Sequence, residues 1–330
     1  ADRMLPYASG RILSIVRCPR GADSACFFKK HPGPSTPGVR TVDIPTSSGD
    51  EEPYFYVEDA VGLVSEAQMD TLEFHLWGSR VDTLEQPDMM VFDLDPDKGL
   101  DLEQVRRGVR DLKGILDALG LASFLKTSGG KGYHVVLPFQ PAASWDAFHD
   151  FARRIAQVMA EKWPDRYTSN VRLAKRTGKV FIDWMRNGRG ATSIAPYSLR
   201  ARSGARVSMP LSWEELDEAA PDAFTMDDAL ARIEGDDPWD GYFDVDQALE
   251  ATSADGHVWL IGGESLYRQL LPRCSRVYVT RNHVTVPADA WFPNLDQDDA
   301  WAASEPEGSG TTSAGVDYDF VTYTKEGDKG

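Results

Sequence analysis

The segment Met89-Met90-Val91-Phe92-Asp93-Leu94-Asp95 constrains this chain more than any other stretch. Its period-two alternation makes a strand with Met89, Val91, Asp93 and Asp95 on one face. A short loop later, Leu102, Val105, Val109, Leu112, Leu116 and Leu119 recur at steps of three and four, and Gly120 stands where a helix ends. Residues 121–127 (LASFLKT) read as a strand, SGGKG as a turn and HVVLPF as a further strand. A second amphipathic helix starts after Ser144 and runs through Phe148, Ala152, Ile155 and Met159 until Pro164 stops it. KVFIDWM then reads as a strand carrying Asp183, and capping boxes at Ser212/Glu215 and Thr225/Asp228 open two short helices. Interleaved strands and helices predict an α/β domain of two layers, built around mixed strands that bear the aspartates.

Asp93 and Asp95 point the same way from one strand, with Cα atoms about 7 Å apart. Together they suit one or two hard divalent cations, Mn²⁺ or Mg²⁺, and Asp183 on its own apolar strand is the natural third ligand. A DxD pair alone is weak evidence, whereas a carboxylate inside VFIDW is costly to bury unpaired. Ser128-Gly129-Gly130-Lys131-Gly132 offers backbone amides, a hydroxyl and an ammonium suited to an oligophosphate. It is no Walker A loop, because the spacing is absent and Tyr133-His134-Val135-Val136 continues as a strand. Taken alone it reads equally well as a hairpin turn. His134 could donate to a phosphate oxygen, and Arg200 and Arg202 alternate onto one face with two more cations.

The chain has 330 residues and a net charge of -17, which at first argues against a nucleic-acid partner. The average conceals a polarity. Between Arg166 and Arg206 stand ten Lys or Arg residues against the single acid Asp183, and from Val207 to His257 fifteen acids against the single base Arg232. This pattern predicts a cationic working surface beside a solvated acidic flank. No apolar run approaches the roughly 20 residues needed to span a bilayer, and the N-terminus lacks a signal-like stretch, so a cytoplasmic protein without a membrane partner is expected. Cys18, Cys26 and Cys274 show no CxxC spacing and are expected to be reduced thiols.

VFDLDP, TSGGKGYHV, FIDWMRNGRGATSIAPYSLRAR and VSMPLSWEEL resemble the polymerase domain of bacterial ligase D, of the archaeo-eukaryotic primase superfamily. GRILSIVRCPRG, CFFKKHPGP and LEFHLWGSR fit the same family in the same order. The resemblance runs from about Leu5 to Phe243. It implies a template-directed nucleotidyltransferase that fills short gaps at broken duplex DNA ends, takes rNTPs or dNTPs, and works beside a DNA ligase and end-binding repair proteins. It puts the metal ligands on Asp93, Asp95 and Asp183, and triphosphate contacts on Ser128, His134, Arg200 and Arg202, with Lys131 in the same loop. His75 matches a histidine near the nucleotide's sugar, and Arg186 matches a further site position. As a bare residue, His75 reads as an ordinary packed histidine. Relative to that family the chain lacks the helical segment before LPY and reads as shortened. The ligase motif KxDG is also missing, so sealing would fall to another polypeptide.

The texture changes near Phe243, which sets expected domains of 1–243 and 244–330. The later region, from DVDQALEATSADGHVWLIGGESLYRQLL through RVYVTRNH to YDFVTYT, resembles the C-terminal half of dihydrofolate reductase, as a small incomplete α/β region. Gly262 and Gly263 match that family's pyrophosphate turn, and Tyr267 and Thr280 match positions near its active site. The half that protonates folate has no counterpart, so NADP(H) chemistry is not expected. Two other functions stay open: a non-catalytic DNA-binding fragment, and an NADPH-dependent reductase.

Overall fold

The computed structural model describes residues 1–46, 49–247, 267, 271–285, 291–312 and 315–325. The chain divides into two compact units, Ala1–His257 and Val258–Gly330.

The first unit contains, in chain order, α1 (Leu5–Ala8), β1 (Arg11–Arg17), β2 (Phe27–Lys29), β3 (Val39–Pro45), β4 (Glu51–Val57), α2 (Ala60–Gln68), β5 (Thr71–Arg80) and β6 (Met89–Pro96). There follow α3 (Leu102–Ala118), β7 (Phe124–Thr127), β8 (Tyr133–Pro138), α4 (Trp145–Lys162), β9 (Tyr167–Thr168), β10 (Val180–Asp183), β11 (Thr192–Ile194), β12 (Pro210–Leu211) and α5 (Met226–Arg232). One sheet has the order β11-β5-β1-β4-β3, with β2 paired to β1, and the other the order β12-β7-β8-β6-β10-β9. The second sheet is mixed, because β10 pairs parallel to β9 and antiparallel to β6.

Helices α3 and α4 form where the periodicity predicts them. Asp101 and Gln104 close a capping box at the start of α3, and Gly120 takes a left-handed φ of 69° just past its end. Their apolar stripes bury Val105, Val109, Leu112, Phe148, Ile155 and Met159 against Met90, Phe92, Leu94 and Ile182 of the second sheet. The opposite face of that sheet contributes Met89, Val91 and Val136 to another core, shared with Leu13, Ile15, Phe55, Phe74 and Leu76 of the first sheet. The two expected layers are therefore three, helices on a sheet on a sheet. Tyr7 closes this unit by packing on Trp239, Tyr242 and Phe243, at ring-centroid distances of 5.4, 5.2 and 5.1 Å.

Three local expectations change. The strand expected over 121–127 begins only at Phe124, because Leu121 still donates its N–H to Leu116 of α3. The capping box at Ser212/Glu215 opens a single 3-10 turn, Glu214–Asp217, rather than an α-helix; Pro221 soon follows and disfavours helical backbone before it. Cys18 and Cys26 are joined as a disulfide rather than being free thiols. The β1–β2 pairing sets Arg17 opposite Phe27, so the two cysteines are the next residues on either side of the turn.

Asn187 fixes the acidic end of the second sheet. Its amide oxygen accepts from the Val91 N–H at 2.7 Å and its amide nitrogen donates to Val91 O at 2.8 Å, replacing a strand neighbour. Asn187→Ala would leave both Val91 groups buried and unpaired, and we expect urea denaturation to show a loss of about 2–4 kcal/mol.

The second unit is built on β13 (Arg276–Asn282), β14 (Trp301–Ala303), β15 (Gly308–Thr311) and β16 (Asp317–Lys325). Leu271, Leu295, Trp301, Val321 and Tyr323 form its small core. RVYVTRN and YDFVTYT are strands as read from the sequence. VWLIGG lies outside the described residues, as does most of ESLYRQLL.

Candidate active site

Register brings the polar residues of the second sheet into one line. Lys126 on β7 stands opposite His134 on β8, His134 opposite Asp93 on β6, and Asp93 opposite Asp183 on β10. Residues directly opposed in a sheet share a face, so these four side chains emerge side by side. Asp95, two residues beyond Asp93 and opposite Phe181, shares that face. The three aspartates from two distant stretches thus converge at one end of the sheet.

Charge and burial differentiate them. Burial would push Asp93 up, yet His134 and Arg186 hold its carboxyl at about 2. Burial, and then Lys126 beside it, lowers His134 to about 4, so at pH 7 it is neutral and Arg186 is the lasting cationic neighbour of Asp93. Asp95 and Asp183 are both raised, by burial and by the charge of Asp93. Arg186 lies between the opposed pair, Nε at 3.2 Å from Asp183 Oδ2 and Nη2 at 3.7 Å from Asp93 Oδ2. Arg176 reaches Asp95 at 3.8 Å while its guanidinium sits 3.5 Å from the centroid of the Phe181 ring.

This donor set suits a divalent cation. It is all hard oxygen, and the mutual repulsion of three carboxylates is what added positive charge relieves. Among the described residues no group of three or more His, Cys, Asp or Glu side chains is arranged to hold a metal ion as it stands. The carboxylates are instead turned towards Arg186 and Arg176, and Asp95 and Arg186 are half-exposed.

The glycine loop borders the same end of the sheet. Ser128 Oγ accepts from the amides of Gly130 and Gly132 at 3.2 and 3.3 Å, so the hydroxyl and two of the amides expected to face a phosphate bind each other. Lys131 is exposed. Arg200 and Arg202 do not alternate along a strand. The chain turns at Gly204 and Ala205, which have positive φ, and both arginines come against the loop, Arg200 at Gly129 and Arg202 at Gly130. A Cβ at Gly132 would sit 2.1 Å from the carbonyl oxygen of Leu94. Gly132→Ala therefore has to part β8 from β6 beside Asp93, and we expect a stability loss of about 1–3 kcal/mol in urea denaturation.

Three buried groups escaped the sequence reading. Lys126, 1% exposed, donates to Ser208 Oγ at 2.6 Å, and burial lowers its pKa well below the usual lysine range. Asn187 is the second. Glu73 is the third: its Oε2 lies 2.7 Å from His75 Nε2, and its Oε1 accepts from the Ala201 N–H at 2.7 Å and pairs with Arg200 Nε at 3.2 Å. A lysine, asparagine or glutamate at an alternating position carries no sign of burial, so only tertiary packing reveals them.

Burial lowers His75, and for Glu73 the hydrogen bond from His75 and the charge of Arg200 outweigh burial and lower it too. Both groups hold fewer protons folded than unfolded, so stability falls as pH drops below the ordinary histidine value of 6.5 and on through the glutamate range. Thermal unfolding between pH 7 and pH 5 should show this fall, and His75→Gln should flatten its upper part.

In the second unit, Gly262 and Gly263 lie outside the described residues. Tyr267 packs edge-on against Phe292 at 4.8 Å, and Thr280 is an exposed residue of β13 opposite Phe320.

An α/β domain with a carboxylate cluster at the end of a mixed sheet, bordered by a glycine loop and arginines, has the make-up of a site for phosphate-rich substrates. The family described as LigD, primase-polymerase domain matches residues 1–239, and the chain belongs to it. The family described as dihydrofolate reductase matches residues 237–325. The multifunctional non-homologous end joining protein LigD of Pseudomonas aeruginosa is 38% identical over 256 residues, 76% of this chain and 30% of that protein. The corresponding DNA repair protein of Mycobacterium tuberculosis is 34% identical over 244 residues, 72% of this chain and 32% of that one. The chain thus spans about a third of the length of these curated relatives. The solved polymerase domain of Mycobacterium tuberculosis ligase D in complex with DNA superposes with a TM-score of 0.68 at 32% identity, covering 74% of this chain and 89% of that chain. The dihydrofolate reductase of Bacillus subtilis is 31% identical over 78 residues, 24% of this chain and 46% of that protein. Among the described residues no helix is long and apolar enough to cross a membrane.

Proposed function

We propose that the first region is a template-directed nucleotidyltransferase, which adds rNTPs or dNTPs to a primer at gaps and broken ends of duplex DNA in non-homologous end joining. The observation that carries this reading is the register that sets Asp183 opposite Asp93, with Asp95 on the same face. In this reading Asp93, Asp95 and Asp183 would hold Mn²⁺ or Mg²⁺, and bound ions would supply Lewis-acid activation of the attacking 3′-hydroxyl and stabilisation of the leaving pyrophosphate. Arg200, Arg202, Lys131, Ser128 and His134 would bind the triphosphate, and His75 would meet the sugar. Arg186 would leave the carboxylates as cations arrive and turn to the anionic substrate. The basic stretch from Arg166 to Arg206 would follow the DNA backbone. We place the division of the chain at 1–243 and 244–330. Trp239, Tyr242 and Phe243 are the aromatic anchors that close the first region, while the compact unit itself runs on to His257, with Gln247 donating to Ala122 O and Pro138 O. No nicotinamide chemistry is proposed for the second region.

One observation favours a second reading, a DNA-binding domain without catalysis: the carboxylates are engaged by Arg186 and Arg176. Primer extension on a gapped duplex with Mn²⁺ and NTPs separates the two. We expect extension by the purified chain, and its loss in Asp93→Ala with DNA binding retained. A wild-type chain that shifts DNA on a gel but extends nothing establishes the second reading, and equal extension by Asp93→Ala removes the site assignment.

A further inference from the structure

Glu73 is buried, yet it is neither one of the clustered carboxylates nor idle. It lies on β5, and its two oxygens have different partners. Oε1 faces the segment after β11: it accepts a hydrogen bond from the Ala201 N–H at 2.7 Å and forms an ion pair with Arg200, whose Nε lies 3.2 Å away. Among the described residues Oε2 meets only the His75 ring, at 2.7 Å from Nε2. An ionised carboxylate can only accept hydrogen bonds, so the Nε2 facing it must carry a proton. A neutral imidazole carries one proton, and Nδ1 is then a bare acceptor. Nδ1 has no hydrogen-bond partner among the described residues.

We propose that Glu73 is a positioning residue: it sets the His75 tautomer so that Nδ1 accepts a hydrogen bond from a sugar hydroxyl of the incoming nucleotide, and it anchors Arg200 beside the glycine loop. The sugar contact rests on the nucleotidyltransferase reading; the tautomer does not. One carboxylate thereby couples the sugar side of the site to the triphosphate side. Arg200 reaches Ser128 O with Nη1 at 3.4 Å while its Nε faces Glu73, so a shift of Glu73 displaces both partners together.

Glu73→Gln tests this with little change of shape. The Ala201 N–H and the neighbouring Arg200 cation keep the amide oxygen on their side, so the amide NH₂ turns to His75 Nε2. A donor there forces Nε2 to accept, and the ring proton moves to Nδ1. Long-range ¹H–¹⁵N spectra of the histidine rings, with the His75 signal assigned from His75→Gln, read the tautomer directly. Binding of a ribonucleoside, a 2′-deoxyribonucleoside and a 2′,3′-dideoxyribonucleoside triphosphate, measured calorimetrically with Mn²⁺ and gapped DNA, reads the hydroxyl contact. We expect the wild type to carry its proton on Nε2 and to bind the dideoxy compound more weakly than at least one of the others, by roughly five- to tenfold. If the deoxy compound binds like the ribo compound, the 3′-hydroxyl is the donor; if it binds like the dideoxy compound, the 2′-hydroxyl is. Glu73→Gln should move the proton to Nδ1, where the ring can no longer accept from the hydroxyl, and shrink the difference between the compounds. A wild-type proton on Nδ1, or an unchanged tautomer in Glu73→Gln, overturns the proposal. Equal wild-type binding of all three compounds overturns the sugar contact, and this arm decides even if Glu73→Gln does not fold. If the wild type binds no triphosphate at all, the nucleotidyltransferase reading fails with the sugar contact, and the tautomer measurement alone decides the role of Glu73.

Discussion

Two carboxylates held directly across from each other on neighbouring strands repel, and the architecture of the first unit depends on keeping Asp93 and Asp183 in that relation. Like charges opposed in a sheet are destabilising. The register that opposes them is enforced from outside the pair. Leu94 and Ile182 anchor the helix side of the same strands, Asn187 takes the hydrogen bonds of Val91, and Gly132 lets β8 come close to the Leu94 carbonyl. Arg186 and Arg176 then offset the charge that packing has gathered. Local stability alone would not select such an arrangement, and departures of this kind concentrate where a protein works.

The scaffold around the carboxylates is legible in the sequence because its signals are local. The steps of three and four from Leu102 to Leu119, and the alternation from Met89 to Asp95, identify a helix and a strand without reference to any other part of the chain. The site is only half legible in that way. Nothing between residues 180 and 183 says which strand they will pair with, and a shift of one residue would turn Asp183 to the other face. The first sheet is harder still. Arg40, Asp43, Glu51 and Glu52 interrupt the apolar alternation of β3 and β4, which bury few of their residues. The Cys18–Cys26 link follows from a hairpin register, which composition does not record.

The uneven charge along the chain also has a structural reading. Several of the ten basic residues between Arg166 and Arg206 are paired with acids from other parts of the chain, Arg166 with Asp111, Arg176 with Asp95, Arg189 with Glu85 and Arg200 with Glu73. Part of the cationic stretch is thus spent inside the unit, tying segments together, and the surface left for an anionic partner is smaller than the raw count suggests. Arg186 belongs to both groups, being ion-paired and yet half-exposed.

In the second unit, every strand pairing among the described residues includes β16. β13, β14 and β15 all precede in the chain the strand that aligns them. Until β16 follows, these three strands have water in place of their ladder partner, and Tyr278 is among the side chains left exposed even afterwards. A sheet assembled around one strand closes only when that strand arrives, so removing Asp317–Lys325 would undo every pairing among the described residues of this unit rather than trim its edge.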